Sequence, residues 1–406
     1  MRRSHVAGLV ASLACLLGAM TAMTAGAATV TEFPLPTPNS QPAGITVGPD
    51  GALWFTEENA HRIGRITTAG TITEYPTPTF PSGPTEITAG PDGALWFTEF
   101  AANPPKIGRI TTAGTFTEYD LPPGSGPDGI TTGFDGAIWF TENGTNNIGR
   151  ITLEGAITRY GLPSGFRPGD IAPGPDGRLW FTESEAHKIG AVKMDGSIIE
   201  YDLALGSDPS GIAGSAGNVW YTQFGADMIG RISTVGSQVT DFGPTGRGPS
   251  GIVFGPDGAL WFTETLAGKI GRMTTTGRVT EFGIPTGNSE PGEIVAGPDG
   301  ALWFTEFLGN KIGRVEPGTT TTTFVPPPPP PPVPPAGKTG SAGGKKTKQG
   351  KACRVPKVRG LSVRKARKKL RRAGCRYRLR GKGRIRSVRP RPGTRTHATV
   401  QLRARR

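Results

Sequence analysis

The sequence predicts an all-β protein, a seven-bladed β-propeller, followed by a proline-rich linker and a small α+β domain. Three observations predict this architecture: a phrase centred on tryptophan recurs seven times every 40–43 residues, each interval contains four β-prone segments, and prolines follow the last copy. A period near 40 residues with four strands per unit is typical of a propeller blade. The tryptophans mark blades 1 to 7 in chain order: Trp54, Trp96, Trp139, Trp180, Trp220, Trp261 and Trp303.

The first 27 residues have the features of a signal peptide. Basic residues at 2–5 precede an apolar stretch at 6–22, and small residues at 25–27 offer a cleavage site. We therefore expect a secreted protein whose mature chain starts near Ala28. No later segment reaches the roughly 20 apolar residues that cross a bilayer, so no transmembrane segment is expected. Cys15 lacks the leucine expected three residues before a lipidated cysteine.

The propeller is predicted to occupy residues 28–325, and its first unit illustrates the blade. Four predicted strands, Pro42–Ile45, Ala52–Glu57, Ile63–Ile66 and Thr71–Pro76, are separated by turns rich in glycine, proline and aspartate. The two middle strands are apolar at nearly every position because neighbouring blades cover both of their faces. Blades arranged in a closed ring leave no exposed sheet edge.

An eighth copy of the outer strand raises the question of how the ring closes. Thr29–Phe33 resembles that strand as closely as Thr321–Phe324 does. We expect the N-terminal copy to complete blade 7, with the C-terminal copy as the competing candidate.

The C-terminal part begins with a linker at 326–352, in which prolines are followed by glycine, serine and lysine. Such a composition is extended and then flexible, as in a spacer. A small domain at 353–406 follows. Ser362 is a candidate helix N-cap, and apolar residues recur at helical spacing over Val363–Ala373 before Gly374.

Three strands are predicted after this helix, around residues 377–379, 385–388 and 399–402. Cys353 and Cys375 are the two cysteines of the mature chain, and in an oxidising compartment such a pair is usually bridged. We therefore predict a Cys353–Cys375 disulfide.

Charge divides the chain into two parts of opposite sign. Residues 336–406 contain 27 Lys and Arg and no Asp or Glu, whereas residues 28–335 carry 17 basic against 32 acidic residues, a net charge of −15. A basic segment favours polyanionic partners. Because the chain carries an export signal and the segment has Tyr377 as its single aromatic residue, we expect anionic cell-wall polymer rather than nucleic acid.

The repeat resembles the virginiamycin B lyase, or streptogramin lyase, family. The resemblance rests on the phrase Gly-Pro-Asp-Gly-Ala-Leu-Trp-Phe-Thr-Glu, which stands at 48–57, 90–99, 255–264 and 297–306. It implies a seven-bladed propeller that uses Mg²⁺ to open a cyclic depsipeptide antibiotic by elimination at its ester bond. In that family one histidine is the general base, a second assists, and two carboxylates hold the metal.

These family residues carry over only in part. The metal carboxylates correspond to Glu290 and Glu306, whereas the base corresponds to Gly292 and the assisting histidine to Ser250. The resemblance thus implies a possible Mg²⁺ site without the catalytic histidines. No histidine follows the proline that leads into any blade: the residues there are Ala43, Thr85, Asp128, Gly169, Ser210, Ser250 and Gly292.

Two histidines, His61 and His187, lie between the second and third strands of their blades, on the same face of the propeller. His61 belongs to blade 1, next to blade 7, so one interpretation is that its side chain approaches Glu306 of blade 7. An exposed loop histidine is the favoured one. Glu306 also repeats at the same position in other blades, where a structural role such as bonding a neighbouring blade is expected.

The C-terminal domain resembles a PASTA domain through Val355-Pro356, Gly360, Ala373-Gly374 and Pro390–Thr394. That family is found on bacterial cell-wall enzymes and kinases and is associated with peptidoglycan fragments. The sequence leaves two functions open. A monomeric, wall-attached module that binds a small molecule or peptide on the propeller face is favoured because the base is missing, and a streptogramin B lyase is the alternative.

Overall fold

The computed structural model describes residues 29–163, 165–215, 217–235 and 238–317, together with five strands between 353 and 405. The chain divides into two compact units, Met1–Thr323 and Phe324–Arg406. In the first unit the described residues form seven four-stranded antiparallel sheets. The predicted seven-bladed propeller is therefore confirmed.

Strands are numbered in chain order, and the first strand of each blade contacts the first strands of its two neighbours in a ring. These innermost strands are β2 (Pro42–Val47), β6 (Pro84–Ala89), β10 (Pro127–Thr132), β14 (Ile171–Pro173), β18 (Pro209–Ser215), β22 (Pro249–Phe254) and β26 (Pro291–Ala296). The second strands are β3 (Leu53–Glu57), β7 (Ala94–Glu99), β11 (Ile138–Glu142), β15 (Leu179–Glu183), β19 (Asn218–Gln223), β23 (Leu260–Glu264) and β27 (Leu302–Glu306).

The third strands are β4 (Arg62–Ile66), β8 (Lys106–Thr111), β12 (Asn147–Ile151), β16 (Lys188–Val192), β20 (Met228–Ser233), β24 (Lys269–Met273) and β28 (Lys311–Val315). The outer strands of blades 1 to 6 are β5 (Ile72–Pro76), β9 (Phe116–Asp120), β13 (Ile157–Gly161), β17 (Ile198–Asp202), β21 (Val239–Phe242) and β25 (Val279–Gly283). Blade 7 takes its outer strand, β1 (Val30–Pro34), from the start of the propeller.

The N-terminal strand closes the ring, as the sequence analysis expects. β1 runs antiparallel to β28, with Phe33 opposite Ile312. The Phe33 ring stacks on Trp303 at a centroid distance of 5.4 Å, as Tyr75 does on Trp54 in blade 1 at 5.6 Å. The competing C-terminal copy, residues 321–324, lies outside the described residues.

The core consists of apolar layers between neighbouring blades. Each Leu-Trp-Phe triplet or its equivalent is buried, and the tryptophans are 0–2% exposed. Between blades 7 and 1, Phe55 packs with Trp303 and Ile312. Close packing explains the glycine in the third strand, because a Cβ on Gly64 would lie 2.1 Å from the Phe55 ring.

An aspartate in the turn between the first and second strands connects this turn to the second strand in six of the seven blades. In blade 1, Trp54 Nε1 donates to Asp50 Oδ1 at 3.0 Å, and Arg65 Nε donates to Asp50 Oδ2 at 2.7 Å. The tryptophan-to-aspartate hydrogen bond recurs in blades 2, 3, 4, 6 and 7. These bonds hold the turn against the second and third strands and keep the blade rigid.

The second unit is described by its strands: β29 (Cys353–Arg354), β30 (Tyr377–Arg380), β31 (Arg384–Arg389), β32 (Arg395–Thr396) and β33 (Val400–Arg405). β33 pairs in parallel with β30 and antiparallel with β31, while β29 pairs with β32. The three predicted strands are present.

Four further predictions lie outside the described residues: the signal peptide, the linker at 326–352, the helix at 363–373, and Cys375 of the disulfide. The disulfide therefore stays a prediction. Within the described part of the chain, no helix has the length and apolarity needed to span a membrane.

Candidate functional site

A cavity of about 460 Å³ lies at the ends of the first strands, and all seven blades contribute to its wall. Two kinds of loop surround it. The interblade loops lead from an outer strand into the first strand of the next blade, and the hairpin loops join the second strand to the third. We call this side of the propeller the cavity face.

The threonine before the repeated glutamate positions the cavity wall. In blade 1 the Thr56 hydroxyl accepts the Gly44 N–H at 2.9 Å and donates to the carbonyl of Thr85 in blade 2 at 2.6 Å. All seven equivalent threonines accept such a bond. Five others, in blades 2, 3, 5, 6 and 7, also donate across the blade boundary. The threonine therefore makes the bond to the neighbouring blade that was expected of the glutamate, while Glu142 bonds Thr145 and Arg159 of its own blade.

Both positions that the family fills with histidine open onto the cavity. Ser250 and Gly292 line it, and Ser250 Oγ lies 3.3 Å from Ser210 Oγ. Among the described residues that line the cavity there is no histidine, lysine, arginine or cysteine. Ser250 and Gly292, the positions that the resemblance assigns to the family histidines, thus lie in a described wall without a histidine; the residue correspondence itself stays a prediction.

His61 supports the loop of the next blade instead of approaching Glu306. Its Nδ1 accepts the N–H of Gly83 at 3.0 Å and that of Ser82 at 3.3 Å, both in the interblade loop of blade 2. Asn310 makes the same contact in blade 7, where its Oδ1 accepts the Ser40 N–H at 2.6 Å. Both residues have φ near +55°. His61 is thus a loop histidine as expected, but it is half-buried and holds the adjacent loop instead of being exposed.

His187 occupies the equivalent place in blade 4. Its Nδ1 lies 3.0 Å from Asp208 Oδ1, and its side chain is 23% exposed. Asp208 lines the cavity, but His187 does not. The described contacts therefore place His187 behind the cavity wall as a partner of Asp208.

Glu290 lines the cavity directly before Pro291, in the left-handed region with φ 48°. Glycine fills three equivalent positions with positive φ, Gly83, Gly126 and Gly248. A residue with a Cβ is disfavoured in this conformation by about 1–2 kcal/mol. Gln41 and Asp208 keep the same conformation in blades 1 and 5, so it is the place of Glu290 in the cavity wall, more than its φ, that makes it a candidate ligand.

Glu306 differs from Glu290 because it is fully buried and does not line the cavity. Neither carboxylate oxygen makes a hydrogen bond of good geometry with the described residues, and the Ser289 side chain is the polar group beside it. Burial and the nearby negative charge of Glu32 raise the pKa of Glu306 to about 7. Glu57 and Glu99 in blades 1 and 2 are buried and unpartnered in the same way.

The two glutamates fit Mg²⁺ in kind but not specifically. Mg²⁺ is commonly held by one or two carboxylates with water completing its shell. The carboxylate oxygens of Glu306 are free for such a role. Those of Glu57 and Glu99 are in the same state, however, and the resemblance assigns no metal to these two residues. Among the described residues no three His, Cys, Asp or Glu form a group that could hold a metal ion. The Mg²⁺ site therefore stays a prediction.

A further set of carboxylates in the cavity wall was not predicted from the sequence. Glu86, Asp170 and Glu293 line it from blades 2, 4 and 7, each one residue after the position compared with the family histidines. Asp128 of blade 3 joins them. The sequence does contain a sign that these carboxylates are special, because the same position is glycine in the other four blades (Gly44, Gly129, Gly211 and Gly251).

These carboxylates repel one another. Burial raises the pKa of Glu86 well above its usual range, and the negative charges of Glu293, Asp170 and Asp128 raise it further. The pKa values of Glu293 and Asp170 are also raised, first by burial and then by neighbouring carboxylates. Backbone N–H groups lower these pKa values in part, because they stabilise the ionised carboxylate; Asp170 Oδ2, for example, accepts the Ile212 N–H at 2.8 Å.

Comparisons with known proteins agree with this architecture. The profile of the virginiamycin B lyase family matches residues 17–216 and 212–344, and the PASTA domain profile matches residues 354–403. A curated virginiamycin B lyase from Bacillus licheniformis is 49% identical over 41 residues, which are 10% of this chain and 14% of that protein. The chain thus aligns with a small part of that relative's length.

Solved structures extend the match to the whole propeller. A streptogramin B lyase structure is 39% identical with a TM-score of 0.67, and the alignment covers 71% of this chain and 97% of that one. A virginiamycin B lyase from Staphylococcus aureus is 40% identical with a TM-score of 0.66, covering 71% and 99%. A catalytically inactive histidine-to-alanine variant of the S. aureus enzyme was solved with quinupristin, at 40% identity and a TM-score of 0.67. This chain belongs to the virginiamycin B lyase family and carries a PASTA domain after its propeller.

Proposed function

We propose that this protein is a secreted cell-envelope member of the family that binds a small molecule or peptide in its cavity without opening an ester ring. We further propose that the basic PASTA domain attaches it to anionic cell-wall polymer or peptidoglycan. The observation that carries the first part is the absence of histidine from the described cavity wall, where Ser250 and Gly292 stand.

The missing base matters because elimination begins with removal of a proton from carbon. A general base whose pKa lies near the working pH typically contributes about 10²–10⁴ in rate, and neither serine nor glycine can serve. His61 and His187 do not replace it, since the Nδ1 of His61 is used by Gly83 and that of His187 lies against Asp208.

Lyase activity is the second candidate, favoured by Glu290. This residue keeps a strained conformation at the cavity wall, next to the family's base position. In this alternative Glu290 and Glu306 would hold Mg²⁺, which would supply positive charge to polarise the ester.

Incubation of the purified full-length chain with a type B streptogramin and Mg²⁺ separates the two candidates. Chromatography resolves an opened product from the ring, and mass spectrometry identifies elimination because no water is added. We expect that the antibiotic is recovered intact and that no opened product forms. The binding-only proposal would be refuted if the chain opened the antibiotic as fast as an active family member does. This turnover would also have to persist when His61 and His187 are both replaced by asparagine.

Attachment to the wall is tested by sedimentation with purified cell wall, with and without its phosphate-bearing polymers. The full chain is compared with a chain ending at residue 325, since solved relatives consist almost entirely of the propeller. We expect only the full chain to sediment with the wall. High salt should release it, because exposed charges are already screened within about 8 Å at physiological ionic strength and are screened more strongly at higher salt. Sedimentation of the truncated chain would contradict the proposal.

A further inference from the structure

We propose that the cavity selects a cationic ligand, one that carries an ammonium or guanidinium group beside apolar groups. This inference rests on the proposed binding function and specifies the ligand class for the same cavity. It depends on three features: the sign of the charges in the wall, the lack of internal counter-charges, and the apolar side chains on the surrounding face.

The charge of the wall has one sign. Six carboxylate side chains line the cavity and, among its described lining residues, no basic side chain does. Five of the seven blades contribute, so the charge surrounds the cavity instead of lying on one side. The six residues are Glu86, Asp128, Asp170, Asp208, Glu290 and Glu293.

Little inside the protein balances these charges. Within the described part of the chain, the one ion-pair contact that any of the six makes is between Asp208 and His187, at 3.0 Å. Asp170 and Glu293 instead accept backbone N–H groups, at 2.8 Å from Ile212 and 3.1 Å from Ile294. Partly buried like charges are unfavourable together, and an opposite charge placed among them is attracted strongly where the local dielectric is low.

The space beside Glu86 is kept open for its carboxylate. A Cβ on Gly44 of blade 1 would lie 2.6 Å from Glu86 Oε2. The side chain of Glu86 therefore extends towards the neighbouring blade, over a residue that has no side chain of its own. A carboxylate held in this way is accessible from the cavity that it lines.

Apolar side chains concentrate on the same face. Phe224 and Phe307 line the cavity itself. Of nine exposed large apolar side chains in the described part of the chain, six lie in interblade or hairpin loops of the cavity face. Concentrated exposed apolar surface marks a binding region. These six are Phe80, Phe100, Phe166, Leu205, Leu266 and Leu308.

An organic cation fits this arrangement better than a metal ion does. A metal needs several ligands within one coordination sphere, and no group of three acidic, histidine or cysteine residues of the described chain could hold one. Carboxylates spread around a cavity of about 460 Å³, below an apolar rim, match a larger ligand with a positive group and apolar surface.

The test uses three probes that share an aromatic ring and differ in charge: phenethylamine, phenethyl alcohol and 3-phenylpropionate. Each is titrated into the full-length chain by calorimetry at mildly alkaline pH and low salt, up to about 10 mM, the range of weak fragment-sized ligands. MgCl₂ is titrated separately. We expect the amine to bind about tenfold more tightly than the alcohol, and the carboxylate not to bind.

A pair of double variants assigns the effect to the cavity. Glu86→Gln with Glu293→Gln removes two cavity carboxylates whose ionised form a bound cation favours, and should lower the affinity for the amine about tenfold while leaving that for the alcohol unchanged. Glu154→Gln with Asp195→Asn removes two charges from exposed loops between third and fourth strands, on the opposite face, and should change neither. Thermal unfolding of both variants checks that the fold is retained.

Several results would overturn the inference. Equal binding of amine and alcohol would refute the charge selectivity while leaving the binding function standing. Displacement of the amine by Mg²⁺ at lower concentration would assign the carboxylates to a metal. No binding of any probe would also refute it, and the binding function would then be judged by the streptogramin experiment alone.

Discussion

Thr305 of blade 7 donates its hydroxyl to the carbonyl oxygen of Ala43 in blade 1 at 2.7 Å, across 262 residues of sequence. The same hydroxyl accepts the N–H of Glu293 at 3.1 Å. One buried side chain thus joins the last blade to the first and fixes the strand that carries Glu293. The geometry of the cavity wall and the closure of the ring depend on the same contact.

Replacing Thr305 with valine should destabilise the propeller. Valine keeps the shape of threonine but leaves the Ala43 carbonyl and the Glu293 N–H without partners, and each unsatisfied buried group costs about 1–3 kcal/mol. We expect a loss of about 2–4 kcal/mol in the free energy of unfolding, measured with urea. Thr280→Val, on exposed outer strand β25, is the matched control and should change little. Equal effects of the two variants would contradict the role of Thr305.

Glu99 makes stability depend on pH. Burial, with the nearby charge of Glu118, raises its pKa to about 8 from 4.5, so the folded state holds its proton more tightly than the unfolded state does. The stabilisation is complete below pH 4.5 and is lost as pH rises through about 8, with a limiting slope of roughly 1.4 kcal/mol per pH unit for each such group.

Glu99→Gln should therefore make thermal stability less dependent on pH and raise it above wild type at alkaline pH. The fold accepts glutamine here, because Gln223 holds this position in blade 5 and donates to Asp241 at 2.8 Å. Glu142→Gln is the contrasting control: it breaks a 2.8 Å ion pair with Arg159 and should destabilise the protein. An unchanged pH profile for Glu99→Gln would show that this carboxylate is not responsible.

His61 should tolerate asparagine but not alanine. Asparagine occupies the equivalent positions in blades 3 and 7 with the same positive φ, and Asn310 bonds the adjacent loop as His61 does. His61→Ala removes the acceptor for the Gly83 N–H in a conformation that alanine disfavours, at a cost of about 1–3 kcal/mol by urea unfolding. If His61→Asn abolished ligand binding while preserving stability, a direct role for the histidine would be indicated.

Restoring both family histidines should create lyase activity. We expect Ser250→His with Gly292→His to open a type B streptogramin in the presence of Mg²⁺, since both positions face the cavity. A Cβ at position 292 would lie 2.9 Å from Thr305 Oγ1, so thermal unfolding first checks that the double variant keeps its fold. Activity should require Glu290 and Glu306, so adding Glu290→Gln or Glu306→Gln should abolish it. Product formation followed by chromatography is the measurement. Activity independent of both glutamates would refute the predicted metal assignment.

The Cys353–Cys375 disulfide predicted from the sequence is testable on the exported protein. The bridge would close a loop of about 20 residues, which corresponds to roughly 3 kcal/mol in the chain-entropy model. We expect no alkylation of these thiols without reductant and a lower unfolding temperature of the C-terminal domain after reduction. Two freely alkylated cysteines would contradict the bridge.

The sequence by itself was sufficient to predict the propeller, because the blade is a local structure repeated in register. Leu-Trp-Phe, the turn aspartate and the outer-strand aromatic residue recur at fixed spacing, so each repeat independently predicts the same four-stranded blade. Even ring closure was predictable, since Phe33 occupies the aromatic position that stacks on Trp303. The replacement of the family histidines by Ser250 and Gly292 was equally visible.

Only the tertiary structure decided what the cavity contains. Glu86, Asp170 and Glu293 occupy the same position in blades 2, 4 and 7, which the repeat shows, but the repeat does not show that this position faces a cavity. They meet because the seven first strands converge on one axis and threonine bonds hold neighbouring strands in position. Likewise, Glu290 and Glu306 look equivalent as carboxylates, but the fold places one at the cavity and buries the other, because burial depends on packing between blades.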